Sequence, residues 1–255
     1  KELADLADVY VNDAFAASHR SHASLSAVTQ YLPSYAGMNF AHEYEELTKA
    51  RSPQQPSLFM LGGAKFDTKL PLVEQFLDIY DHVFIGGALA NDCFKAKGYE
   101  VGRSLVSDGD VSNVERLLEN PKLLLPVDVV VERNGERAVV PPDAVTAEDM
   151  IYDVGPESVR MLHPLICNAA SILWNGPFGN YEQGYDEQTM KTAELVADAP
   201  GYAVIGGGDT VASIESLFCQ EKIAFLSTAG GAMLYFLEHG TLPAIEAMKA
   251  APTVE

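Results

Sequence analysis

The chain has 255 residues, 47% of them apolar, enough for one large or two ordinary domains with real cores. Its formal net charge of −19 argues against a nucleic-acid or membrane-surface partner, because phosphate backbones and anionic lipids demand basic patches. Cys93, Cys167 and Cys219 are far apart and form no C-x-x-C pair, which speaks against a disulfide framework or zinc site and for a reducing, cytoplasmic compartment; no stretch reaches the roughly 18 apolar residues of a membrane span.

In chain order, Lys1 to Asp8 reads as the last turns of an amphipathic helix leading into a strand at Val9 to Asn12. A helix end and one strand cannot bury a core, so further chain ahead of Lys1 is expected. Phe40 to Arg51 reads as a charged helix, and Ser52-Pro53-Gln54-Gln55-Pro56 as a connector. From there strands and helices alternate. Apolar strands are predicted at Ser57 to Leu61, His82 to Ile85, Leu123 to Val131, Ser171 to Trp174, Tyr202 to Ile205 and Ile223 to Leu226. Helices are predicted at Leu70 to Tyr80, Leu89 to Lys97, Val111 to Glu119, Glu157 to Asn168, Glu187 to Asp198 and Thr210 to Cys219. Arg133-Asn134-Gly135-Glu136 reads as a hairpin turn on a surface excursion. Near-continuous apolar strands separated by amphipathic helices predict an α/β fold with a doubly wound parallel sheet.

In such folds ligands sit beyond the carboxyl ends of the strands. Those ends carry Gly62-Gly63-Ala64-Lys65, Gly86-Gly87, Asn175-Gly176-Pro177, Gly206-Gly207-Gly208 and Ser227-Thr228-Ala229-Gly230-Gly231. The run Gly206 to Thr210 has a phosphate-site layout: glycines admit an anion to the backbone, a helix start offers unpaired N–H groups, and Asp209 can hold a divalent cation between phosphates. Taken alone, it is equally a strand-to-helix turn capped by Asp209. Five such loops on one edge are hard to explain as turns. No G-x-x-x-x-G-K-[ST] loop, G-x-G-x-x-G fingerprint or protein-kinase signature is present, so phosphate chemistry here needs another set of groups.

Val9-Tyr10-Val11-Asn12-Asp13-Ala14-Phe15, His19-Arg20-Ser21-His22-Ala23-Ser24, Leu61 to Lys65 with Lys69, Leu125-Pro126-Val127-Asp128, Asp153-Val154-Gly155-Pro156-Glu157, Trp174 to Pro177 through Glu182, Gly206 to Thr210, and Ser227-Thr228 with Gly230-Gly231 closely resemble the phosphoglycerate kinases, in the order and spacing of that family. The resemblance covers nearly the whole chain. It implies a two-domain, hinge-bending, usually monomeric cytoplasmic enzyme of glycolysis and gluconeogenesis, which transfers a phosphoryl group directly in line between 1,3-bisphosphoglycerate and ADP, giving 3-phosphoglycerate and ATP, with Mg2+. By the same resemblance, residues 1–39 are the end of the glycerate-binding N-terminal domain, 40–56 the hinge helix and connector, 57–238 the nucleotide-binding domain and 239–255 a tail returning to the N-terminal domain. Roughly the first third of the family's length would then precede Lys1, and the isolated chain would bind nucleotide but transfer poorly.

The roles implied are these. Lys65, Gly207, Gly230 and Gly231 act at the transferring phosphoryl, and Arg20 with His19 grips the glycerate phosphate, His22 lying nearby. Lys69, Gly63, Gly86, Gly87, Asn175, Pro177, Glu182, Gly206, Gly208, Asp209 and Thr210 surround the nucleotide. Asp209 meets the metal and Glu182 the ribose hydroxyls. Two lysines at i, i+4 are electrostatically costly unless an anion lies between them, and a guanidinium suits phosphate geometrically. None of these groups is a nucleophile or general base, as direct transfer requires. The chain departs from the family pattern at Ala88, Asn180-Tyr181, Ala229 and Met233 to Phe236; a methyl on Ala229 would crowd the phosphoryl unless its φ is negative. The competing readings are a nucleotide-binding relative without transferase activity and an unrelated doubly wound dehydrogenase, the latter lacking its phosphate fingerprint here.

Overall fold

The computed structural model describes residues 1–64, 69–107, 112–214, 217 and 220–253. In chain order the elements are β1 (Tyr10–Asn12), β2 (Ser34–Ala36), α1 (Met38–Arg51), β3 (Ser57–Leu61), α2 (Leu70–Ile79), β4 (His82–Ile85), α3 (Ala88–Ala96), α4 (Ser112–Leu118), β5 (Leu123–Leu124), β6 (Val129–Arg133), β7 (Glu136–Val140), β8 (Met150–Val154), α5 (Pro156–Asn168), β9 (Ser171–Asn175), α6 (Glu187–Asp198), β10 (Tyr202–Gly206), α7 (Gly208–Ser213), β11 (Phe225–Ser227), α8 (Gly231–His239) and α9 (Pro243–Lys249). They fall into two compact units, one of Lys1–Ser52, Gly206–Gly208 and Ser227–Glu255, the other of Pro53–Ile205 and Asp209–Leu226.

In the first unit, β1 and β2 pair in parallel. The Asp13 carboxylate beyond β1 accepts from Phe40 N at 2.8 Å and Asn39 Nδ2 at 2.7 Å, so α1 is capped from outside its own chain segment. Phe15 packs on Phe40 and Phe236, and Phe236 on Tyr44. The α9 segment is tied to the chain's start: Ala244 N donates to Ser18 O at 3.2 Å and Thr29 Oγ1 to Ala247 O at 3.0 Å. Lys1 to Asp8, expected to be helical, keeps only a short 3-10 turn at Ala4–Leu6.

The second unit is built on a sheet ordered β11-β10-β9-β3-β4-β5. β3 is parallel to β4 on one side and to β9 on the other, and β4 is parallel to β5. Every residue of β3 is buried, as a strand covered on both faces requires. Leu58, Met60, Trp174 and Ile205 pack with Leu162 and Ile166 of α5 and Val196 of α6, whereas Phe59 packs on Phe76 and Tyr80.

Four further sequence expectations are corrected. Leu123 to Val131 is not one strand but two in different sheets, β5 in the parallel sheet and β6 in a three-stranded antiparallel sheet ordered β7-β6-β8. Pro126 has no N–H to continue a ladder, and Asp128 is turned away to serve α5. The Asn134-Gly135 turn does close a hairpin, but rather than a surface excursion it is part of this second sheet, whose Val129 and Val131 form their own core with Phe94 and Val101. The helix expected from Thr210 to Cys219 is confined, among the described residues, to Gly208–Ser213; Cys219 lies outside them. The last strand is displaced to Phe225–Ser227.

Candidate functional site

Strand order runs outward from β3 in both directions, through β4 on one side and β9 on the other, so the point where the topology reverses lies between β3 and β9. The loops leaving these two strands are laced together: Gly62 N donates to Asn175 O at 2.8 Å and Gly63 N to Pro177 O at 3.0 Å. A Cβ on Gly176, which sits at φ +91°, would strike the Gly62 carbonyl, so only glycine lets the two backbones approach this closely. Gly87, at φ +63°, opens α3 against the same Gly63 backbone.

Beside these loops lies a cavity of about 310 Å³. Of the residues singled out in the sequence, Gly63, Gly87, Pro177, Glu182 and Asp209 line it together. Gly86 lies behind the wall, where Phe84 and Phe178 leave no room for a Cβ. Asn175 is 4% exposed at the end of β9. Thr210 is wholly buried, and its hydroxyl accepts from Gly176 N at 2.7 Å, joining the start of α7 to the β9 loop. Lys69 stands just ahead of α2 with Nζ donating to Gly62 O at 2.8 Å. Burial pushes its ammonium group down to about 8, while the Asp209 carboxylate pulls the other way. Lys65 lies outside the described residues.

The loop bearing Glu182 is held at several points. Phe178 is buried against Trp174 and edge-on to Phe84, and Thr189 Oγ1 of α6 accepts from Phe178 N and Gly179 N. Arg137 of the hairpin donates to Gly184 O at 2.9 Å and stacks on Tyr185 at 4.0 Å. Tyr181, in the same turn as Glu182, places its phenol within hydrogen-bonding reach of Asp209. Asn91 and Met150, which were not singled out from the sequence, also line the cavity, as does Asp153, which opens one of the quoted runs but was given no role. Asp153 is pushed up to about 8, first by burial and also by Asp186 and Glu187, against the N–H groups of Gln188 and Val154 that it accepts.

Arg20, His19, Gly206, Gly207, Gly208, Gly230 and Gly231 belong to the first unit. There His19 faces the start of α8: its Nε2 is 3.6 Å from where a Cβ on Gly231 would stand, and Arg20 Nε donates to it at 3.4 Å. Among the described residues, Asn134 is the one non-glycine with positive φ, so Ala229 keeps an ordinary backbone and its methyl group is buried. Met233 packs where a Cβ on Gly206 would be, which gives that departure from the family pattern a partner.

Fold and site together define a doubly wound α/β protein with a glycine-walled crevice at its topological switch point. The phosphoglycerate kinase family model matches residues 1–240. A phosphoglycerate kinase of Thermomicrobium roseum is 41% identical over 254 residues, covering 95% of this chain and 65% of its own length. One of Syntrophobacter fumaroxidans is 40% identical over 261 residues, covering 98% of this chain and 66% of its own. The solved phosphoglycerate kinase of Coxiella burnetii superposes with a TM-score of 0.88 at 37% identity, over 97% of this chain and 67% of that one. The chain belongs to the phosphoglycerate kinase family. It spans about two thirds of the length of the curated relatives it matches.

Proposed function

We propose that this chain carries the nucleotide-handling part of a phosphoglycerate kinase, which moves a phosphoryl group reversibly between the acyl phosphate of 1,3-bisphosphoglycerate and ADP, leaving 3-phosphoglycerate and ATP. The observation that carries the reading is the cavity at the β3/β9 switch point, where Gly63, Gly87, Glu182 and Asp209 converge next to the half-buried Lys69. Residues 57–238 are read as the nucleotide domain, 40–56 as its hinge, 1–39 as the end of the glycerate domain and 239–255 as the tail that returns to it. A monomer in the cytoplasm fits the scattered cysteines, and no helix among the described residues is long and apolar enough to cross a membrane.

In this reading the backbone of Gly63 and Gly87 supports the base, Glu182 accepts the two ribose hydroxyl protons, Lys69 balances phosphate charge, and Asn175, Pro177, Gly206, Gly208 and Thr210 are further nucleotide-binding residues. Arg20 and His19 hold the glycerate phosphate. Lys65, Gly207, Gly230 and Gly231 present cation and N–H groups where charge develops on the transferring oxygens. The phosphoryl passes from the acyl oxygen to a β-phosphate oxygen of ADP, and no protein nucleophile intervenes. Among the described residues no three His, Cys, Asp or Glu side chains gather into a metal cage. The carboxylate of Asp209 fits Mg2+ that arrives on the diphosphate, since Mg2+ keeps several waters and binds through one or two carboxylates plus substrate phosphates. Bound there, Mg2+ would neutralise charge between the phosphates.

Calorimetric titration tests the assignment. Mg-ADP is expected to bind, and Asp209→Ala to weaken it by about tenfold or more. Equal affinity in the variant would leave Asp209 as no more than an acid in the first turn of α7.

A further inference from the structure

Asp209 and Tyr181 come from loops that leave neighbouring strands: Asp209 lies in the first turn of α7, directly after β10, and Tyr181 in the short 3-10 turn Tyr181–Gln183 that follows β9. Both line the cavity, where Asp209 is exposed and Tyr181 half-buried, so a ligand there can reach them. The backbone around Tyr181 is pinned. Asn180 N donates to Tyr152 O of β8 at 2.9 Å, Tyr185 N to Asn180 O at 3.0 Å and Gly184 N to Tyr181 O at 3.0 Å. The tyrosine thus starts from a fixed base, and its hydroxyl reaches the Asp209 side chain. An ionised carboxylate only accepts, so the phenol is the donor in this pair. Asp209 stands on a short side chain with several staggered positions open to it, and the bond from Tyr181 favours one of them. Tyr181 is also one of the places where the chain departs from the family pattern.

Resting on the reading of this cavity as the nucleotide site, we propose that Tyr181 is a positioning residue for the metal: its hydroxyl holds the Asp209 carboxylate in the orientation that meets a divalent cation carried on the diphosphate of ADP. A carboxylate has about four acceptor positions on its two oxygens, so one phenol bond leaves room for a metal. Mg2+ demands near-octahedral geometry and gives up its waters reluctantly, so an oxygen already in place serves it better than a mobile one. Removing an outer partner of this kind typically costs about 10–100-fold in metal affinity.

The test is calorimetric titration of the protein, Tyr181→Phe, Asp209→Ala and the double variant, each with Mg-ADP and with ADP in EDTA, with folding checked by circular dichroism. Tyr181→Phe is expected to weaken Mg-ADP about tenfold and to leave metal-free ADP within about twofold; once Asp209 is replaced, it should change neither by more than about twofold. Equal weakening of both forms overturns the proposal, because the hydroxyl would then touch the nucleotide or merely brace the loop. So does Mg-ADP bound by Tyr181→Phe as tightly as by the unaltered protein, or more tightly, which would make the hydroxyl a bystander or a competitor of the metal. An undiminished effect in the Asp209→Ala background overturns it too. In each of these cases the nucleotide site stands. If the unaltered protein binds neither form of ADP, the reading of the cavity fails and the proposal with it. Should Tyr181→Phe not fold, Tyr181→Leu is read in the same way.

Discussion

Lys69 shows how burial and function pull against each other in one side chain. Its ammonium group is desolvated, with Asp209 opposing the downward shift, and is held at about 8. A phosphate placed beside it would favour the charged form and raise that value, so binding must take up protons wherever the free group is partly neutral. At pH 8 about half of Lys69 is neutral before binding, and Mg-ADP is expected to draw up to about half a proton; at pH 6.5 the uptake nearly vanishes. Affinity should accordingly fall as pH rises through 8. Titrations in buffers of different ionisation enthalpy measure the uptake directly, and Lys69→Met should abolish it. No uptake at pH 8 would mean that Lys69 does not meet a phosphate.

The α5 helix is held by a residue far from it in sequence. Asp128 is 6% exposed, and its carboxylate accepts from Glu157 N at 3.0 Å, Ser158 N at 2.7 Å and Ser158 Oγ at 2.7 Å, satisfying helix-start donors that Gly155 has no side chain to reach. Asp128→Ala would strand those donors in a buried site, and a loss of about 2 kcal/mol is expected in urea unfolding, at the upper end for a lost cap. A change under about 0.5 kcal/mol would show that water or a neighbour replaces it. The same residue explains where the sequence was legible. Ser57–Leu61 and His82–Ile85 appear at their predicted bounds because a fully buried parallel strand is an unbroken apolar run. Leu123 to Val131 looks like such a run too, yet what divides it is the tertiary task of Asp128, which composition does not display. β8 escaped notice because Met150, Ile151 and Tyr152 are only half-buried and its register with β6 slips between Val130 and Val131, leaving no alternation to read.

Over the whole molecule, the glycine loops were legible because backbone approach at strand ends restricts residue type, whereas the meeting of Tyr181 with Asp209 was not, since it exists only once β9 and β10 lie side by side. Charge is the property that belongs to no single element. With 36 acidic against 17 basic side chains, pairs such as Lys191 with Glu187 at 2.6 Å and Lys222 with Asp198 at 2.7 Å can neutralise fewer than half of the acids. Exposed pairs are each worth little, about 0–1 kcal/mol, and added salt weakens them. Added salt also weakens repulsion among the remaining acids, which acts over the whole surface and opposes the compact state. Raising ionic strength from about 0.01 to 0.15 M shortens the screening length from about 30 to about 8 Å, and the long-range repulsion is lost before the short contacts are. The thermal midpoint should therefore rise with salt, by about 2–4 °C if the net gain is about 1 kcal/mol for a chain of this size. Scanning calorimetry in sodium chloride, a weakly interacting salt, measures it without nucleotide present, and a midpoint that falls would mean that the ion pairs outweigh the excess charge.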